Sequence, residues 1–188
     1  VLVVDAPGSG SGRFRKDRDG VDEWSEANVK LCAERQRRIL ADSLGTLKTN
    51  GYLFYSTCSY SPEENEDMVE WLVDTFEMSP VELSPPSDWH ITSRRAPQSN
   101  APAYRFYPHE VKGEGFFFAV LQKKQPQPTF NRKRVKPEKN AAPKDDLGKW
   151  MNDEGLFPFI HQDQLHAFPQ RYALELEAMQ KVLYLKNA

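Results

Sequence analysis

The sequence predicts an α/β domain, laid out in the order of the second half of a doubly wound sheet. Three observations carry this expectation. Residues 1–5 lack alternating polar positions, as a buried parallel strand does, and residues 52–57 (YLFYST) read as the next strand. The segments after them have helical periodicity, with Val29, Ile39, Leu40, Leu44 and Leu47 along one stripe and Val69, Leu72, Val73 and Phe76 along another. Two further runs, around 104–107 and 115–122, complete the order strand, helix, strand, helix, strand pair.

Each element has its own signal. Val1-Leu2-Val3-Val4 has no turn or cap before it, so the chain is expected to start in mid-strand, as a piece of a longer protein. Residues 8–24 read as a polar loop rich in Gly, Arg and Asp. Ser25 is placed to cap a helix over roughly 26–47, and Asn50-Gly51 stops it. Ser61-Pro62-Glu63-Glu64 has Ser at the cap, Pro at the first helical position and Glu at the third, the pattern of a capping box. A Pro-rich loop over 84–102 leads to the strand pair.

Composition changes at Lys123. Residues 123–145 read as an extended basic linker, since 123–144 hold eight Lys and Arg and four prolines against the single acid Glu138. Residues 146–188 form a small partial α+β extension: a helix around Leu147–Asn152, an aromatic stretch at 155–162 and a helix around 171–184. So short a segment is expected to begin another domain or to pack back on the first.

The whole chain of 188 residues is 39% hydrophobic and 28% charged with net charge −2, which fits a soluble globular protein. No apolar run approaches the ~20 residues of a membrane span, and no secretory signal opens the chain. Cys32 and Cys58 are the only cysteines, which gives no disulfide framework and no zinc set and suits a reducing cytoplasm. With charge so near neutral, nucleic-acid binding has to come from local patches.

Two clusters sit at the C-terminal ends of expected parallel strands, where open α/β sheets gather reactive groups. One is Asp5-Ala6-Pro7 and the other is Ser56-Thr57-Cys58-Ser59. If the two strands are neighbours, Asp5 and Cys58 converge on one crevice. Cys58 reads either as an inert core thiol or as a nucleophile; its place just past a strand end, before a capped helix, favours activation by amide donors and a helix N-terminus. Cys32, in mid-helix, reads as core. The alternating Gly8, Gly10 and Gly12 resemble a nucleotide-binding loop only weakly. Such loops open straight into a helix, whereas here Arg13-Phe14-Arg15-Lys16-Asp17 follows.

Three separated stretches resemble a known family. They are Asp5-Ala6-Pro7-Gly8-Ser9-Gly10-Ser11-Gly12 with Phe14-Arg15-Lys16; Tyr55-Ser56-Thr57-Cys58-Ser59-Tyr60 with Glu63-Glu64-Asn65-Glu66; and Arg105-Phe106-Tyr107-Pro108-His109 with Gly113-Glu114-Gly115-Phe116-Phe117. Together with Trp24-Ser25 and Gln36-Arg37-Arg38-Ile39-Leu40, they resemble the Sun-type, nucleolar-antigen-like RNA cytosine-C5 methyltransferases over about residues 1–122. From Phe157-Pro158 onward the tail is similar to the bacterial RsmF-like branch, which acts on ribosomal RNA.

The resemblance implies the C-terminal half of a Rossmann-like methyltransferase domain that uses S-adenosylmethionine, with RNA, or a ribosomal subunit, as partner and with no metal. It implies that Cys58 attacks cytosine C6 so that C5 becomes enamine-like and takes the methyl group. Asp5 would lie between cofactor and base, and Pro7 would supply backbone at the base pocket. Arg13, Arg15 and Lys16 are candidates for RNA phosphate, and His109 for the RNA-facing rim. Residues 146–188 would begin an RNA-binding extension.

The sequence departs from the family pattern at Gly8. The family usually carries a second cysteine there, tied to resolving the covalent RNA adduct, so product release is in question. The family's main cofactor motif is expected upstream of residue 1, and the chain by itself is expected to be inactive. Two other readings stay open: a nucleotide-binding enzyme using the Gly8–Gly12 loop, and a noncatalytic RNA-binding module built on the basic stretch.

Overall fold

The computed structural model describes residues 1–126, 155–161 and 164–182. The chain divides into two units, Val1–Thr129 and Phe130–Ala188.

The first unit is one mixed sheet with helices. Strand β1 (Leu2–Asp5) runs parallel to β2 (Tyr52–Thr57), with Leu2 opposite Leu53 and Asp5 opposite Ser56. Between them lie the short helix α1 (Asp19–Glu23) and the long helix α2 (Glu26–Leu44). After β2 come α3 (Glu66–Phe76), the two-residue strand β3 (Ser79–Pro80), β4 (Thr92–Arg95), β5 (Pro102–Phe106) and β6 (Phe116–Gln122). The sheet order is β1-β2-β6-β5-β4, with β3 also pairing β6, and every pair except β1–β2 is antiparallel.

Helix α2 starts as its sequence indicates, for the Ser25 hydroxyl accepts a 3.1 Å hydrogen bond from the Asn28 amide. It turns Val29, Ala33, Leu40 and Leu44 inward at helical spacing. It ends at Leu44, short of 47, and the Lys123 ammonium caps this end by donating to the Leu44 and Leu47 carbonyls at 3.0 Å each. Helix α3 contributes Met68, Val69 and Leu72 to the same core as Leu53, Tyr55, Phe117 and Leu121. Each such side chain, fully buried, contributes about 2 kcal/mol through removal of apolar surface from water.

Two expectations need correction. The capping box at Ser61 does not form: residues 62–64 make a single 3-10 turn, no side chain caps it, and Glu64 points elsewhere. The Pro-rich loop also contains strand β4. Its sequence, Thr92-Ser93-Arg94-Arg95, is polar because β4 is an exposed edge, where Arg95 forks onto the Glu82 carboxylate at 2.7 and 2.8 Å.

The second unit contains the hairpin β7 (Leu156–His161) and β8 (Gln164–Pro169), followed by helix α4 (Ala173–Val182). Phe157, Phe159 and Phe168 meet on one face of the hairpin, edge-to-face or tilted, as facing rings prefer. The expected helix at Leu147–Asn152 and the basic linker from Gln127 on lie outside the described residues.

Candidate active site

Because β1 and β2 are parallel neighbours, their carboxyl ends share one edge of the sheet. Asp5 closes β1, and Cys58 follows β2 by one residue. The Ser56 hydroxyl donates a 2.8 Å hydrogen bond to Asp5 Oδ1, so the exposed carboxylate is held from the neighbouring strand. The strand adjacency on which the expected convergence of Asp5 and Cys58 depended is thus present.

The glycine turn folds onto that edge. The Ala6 amide donates to the Ser56 carbonyl at 2.8 Å, the Gly12 amide to the Cys58 carbonyl at 2.8 Å, and the Gly115 amide to the Gly12 carbonyl at 2.8 Å. A Cβ on Gly12 would fall 2.4 Å from the Gly115 carbonyl oxygen and 2.7 Å from that of Cys58. Gly10 has φ +76°, the left-handed region that favours glycine. A 3-10 turn (Ser11–Arg13) follows instead of a long helix. The turn therefore works as a strut under Cys58, which removes the support for a nucleotide-binding loop at Gly8–Gly12.

Beneath the turn is a buried polar set whose role sequence reasoning missed. The Glu64 carboxylate, fully buried, accepts from the Ser9 amide at 2.8 Å and from the Ser9 hydroxyl at 3.1 Å. Gln36 Nε2 donates to the Pro7 carbonyl at 3.2 Å, and the Tyr55 hydroxyl lies 2.9 Å from Gln36 Oε1 and 2.6 Å from the Glu64 carbonyl. Thr57 Oγ1 donates to Asn65 Oδ1 at 2.6 Å, and Asn65 Nδ2 donates to the Ser59 carbonyl at 2.8 Å. These bonds tie the turn after β1 to the turn after β2. A Cβ on Gly8 would reach Glu64 Oε2 at 3.0 Å and Gln36 Nε2 at 3.4 Å. The nearest sequence signal was Gln36 within an otherwise apolar helical stripe.

Electrostatics at Cys58 correct a second expectation. Burial pushes its thiol pKa up, and the Asp5 and Glu64 carboxylates add to this. The Arg13 guanidinium and a hydrogen bond from its own backbone pull the other way without prevailing. Cys32 is buried in α2 as expected, its thiol 3.8 Å from Asn28 Oδ1.

The RNA candidates divide by environment. Pro7 is exposed directly after Asp5 and Ala6. Arg13 pairs with Asp17 at 3.3 Å and Lys16 with Glu114 at 3.0 Å, both as exposed surface pairs of small energetic weight. Arg15 holds structure: its guanidinium donates to the Pro108 carbonyl at 3.1 Å and to that of Gly113 at 2.7 Å. His109, on the loop so clamped, is exposed and stacks on Tyr107. Among the described residues no group of three or more His, Cys, Asp or Glu could hold a metal ion, and no helix is long and apolar enough to cross a membrane.

Residues 1–122 match the family model described as 16S rRNA methyltransferase RsmB/F. The chain belongs to the RsmB/F family. The resemblance to the Sun-type family and its RsmF-like branch is borne out by this match over residues 1–122 and by relatives of that name. RsmB/F-family relatives include the ribosomal RNA small subunit methyltransferase F of Escherichia coli O157:H7, 34% identical over 72% of this chain and 28% of that protein. The enzyme of the same name from Salmonella paratyphi A is 38% identical over 69% of this chain and 27% of its own length. The chain thus spans little more than a quarter of the curated relatives it matches. The crystal structure of NSun6 from Pyrococcus horikoshii with SFG aligns at a TM-score of 0.53 and 29% identity, over 65% of this chain and 29% of that one. The α/β arrangement is that of the Rossmann-like methyltransferase folds of this family.

Proposed function

We propose that the protein methylates C5 of a cytosine in ribosomal RNA, with Cys58 as the nucleophile toward C6 and S-adenosylmethionine as methyl donor. One observation supports the reading: the parallel pairing of β1 and β2 brings the end of β1 at Asp5 and the turn that carries Cys58 to the same sheet edge, with Asp5 opposite Ser56 and bonded by its hydroxyl. The family description and a structural relative solved with SFG, an S-adenosylmethionine analogue, support the substrate and the cofactor class.

The residues present fit such a cofactor on one side. Asp5 presents an exposed carboxylate at a strand end, suited to a ligand rich in amine and hydroxyl donors, and Asp5 would hold it there or hold the N3/N4 edge of the base. When bound, S-adenosylmethionine supplies an electrophilic methyl group. Cys58, as thiolate, adds to C6; the S–C6 bond forms and the electron pair of the C5–C6 double bond moves to C5, which becomes nucleophilic. C5 would take the methyl group as the methyl–sulfonium bond breaks, with S-adenosylhomocysteine as leaving group; solvent then takes the C5 proton, the pair re-forms C5–C6, and Cys58 leaves as thiolate.

Pro7 offers backbone beside the base, while Arg13 and Lys16 contact phosphate in this reading. Asp5 is the one cofactor contact we assign in this chain, so the chain alone binds S-adenosylmethionine weakly and does not turn over. In the full-length enzyme, Cys58→Ala abolishes methyl transfer to cytosine, measured with a labelled methyl donor. Transfer retained in that variant contradicts the assignment.

A further inference from the structure

Three rings form a continuous ladder leading away from Cys58. Tyr60, two residues past Cys58, stacks on Tyr107 with centroids 5.8 Å apart and planes at 27°. Tyr107 stacks in turn on His109 at 5.5 Å and 27°. The inner end is fixed. A Cβ on Gly115 would lie 2.1 Å from the Tyr60 hydroxyl oxygen, so the phenol rests directly on glycine backbone. The Tyr60 amide donates to the Ser11 hydroxyl at 2.8 Å, and its carbonyl accepts from Arg105 at 3.0 Å. The outer end is held as well, because Arg15 bonds the carbonyls of Pro108 and Gly113 on either side of the His109 loop.

His109 stacks one face on Tyr107 and has Nε2 3.8 Å from Glu110 Oε1 at its edge, and its side chain is 74% exposed. Single-stranded RNA is bound by stacking unpaired bases on such rings, and the contact tolerates any base because each has a π-face.

We propose that the Tyr60–Tyr107–His109 ladder is a stacking platform for the nucleobase next to the target cytosine, with that base lying on the open face of His109. The proposal rests on the RNA-methylating reading above and gives it a substrate feature: the target is presented in an unpaired stretch with its neighbour splayed out. Pre-ordering of the ladder by Arg15 and Gly115 lowers the entropy lost on binding.

The test uses the full-length protein carrying Cys58→Ala, so that binding is read without covalent chemistry. The probe is a single-stranded RNA of about nine nucleotides with one cytosine and 2-aminopurine beside it. The expected result is quenching of 2-aminopurine on binding. His109→Ala should remove the quenching and weaken binding roughly tenfold, the effect of losing one base–aromatic stack. His109→Phe, which keeps the ring and loses its nitrogens, should restore both. Unchanged quenching and affinity in His109→Ala overturn the platform. Failure of His109→Phe to rescue also overturns it, since the imidazole would then act through hydrogen bonding or charge. Both of those results leave the nucleophile assignment standing; that assignment fails separately, if Cys58→Ala still methylates RNA.

Discussion

The amide of Gly12 donates a 2.8 Å hydrogen bond to the carbonyl of Cys58, and the carbonyl of Gly12 accepts one of 2.8 Å from Gly115. One residue with no side chain therefore joins the turn after β1, the turn after β2 and the start of β6. Replacing it should disturb all three. Gly12→Ala puts a methyl group within 2.4 Å of backbone that cannot rotate away. A loss of about 2 kcal/mol in folding stability and a larger loss of methyl transfer are expected, measured by denaturant titration and by activity. Gly45→Ala, where an added Cβ meets nothing within 4 Å, should change neither.

The raised pKa of Cys58 gives a pH dependence with a definite sign. Less thiolate exists near neutral pH than for a free thiol, so adduct formation should quicken about tenfold per pH unit until the thiol pKa is reached. Arg13 is the charge that opposes the rise. Arg13→Ala should move the limb to higher pH and slow the reaction near neutrality about twofold to threefold, a small effect because Arg13 is half exposed. Single-turnover rates across pH check both, and a flat profile through neutrality contradicts the mechanism.

Gly8 stands where the family resemblance implies a thiol that helps resolve the adduct. The protein should therefore accumulate a covalent RNA complex during turnover, visible as a band that survives denaturing electrophoresis. Gly8→Cys should reduce the band and raise turnover. The new Cβ meets Glu64 Oε2 at 3.0 Å and Gln36 Nε2 at 3.4 Å, so the variant requires the Ser9-bound carboxylate to shift by tenths of an ångström.

Glu66 and Arg105 form a buried bidentate pair, with Arg105 Nε donating to Glu66 Oε1 at 2.7 Å and Nη2 to Oε2. Arg105 also holds the Tyr60 carbonyl, so the pair anchors α3 to β5 and to the segment after Cys58. Glu66→Gln leaves the guanidinium buried without its charge partner, and a loss of about 3–5 kcal/mol is expected by thermal or chemical unfolding.

Strands β1, β2, β5 and β6 were legible as short apolar runs and helices α2 and α3 by their helical period, and the three motifs named the family. Convergence of Asp5 and Cys58 was conditional on the two strands being neighbours, and the parallel pairing of β1 with β2 supplies that condition. What escaped were features set by tertiary contact. Glu64 has the position of a capping glutamate, yet it reaches across 55 residues of sequence to the Ser9 amide. β4 is an edge strand with an ion pair for stabilisation and no apolar signature. The upward shift of the Cys58 pKa comes chiefly from burial, which local sequence does not display.

The most direct measurement is to trap the enzyme on RNA containing 5-fluorocytosine, digest the complex and map the residue bonded to the base by mass spectrometry. In this account fluorine at C5 blocks the elimination that releases Cys58, so the cytosine should be found on Cys58 through C6, and Cys58→Ala should give no complex. A base found on any other residue, or an equal yield of complex from Cys58→Ala, would contradict it.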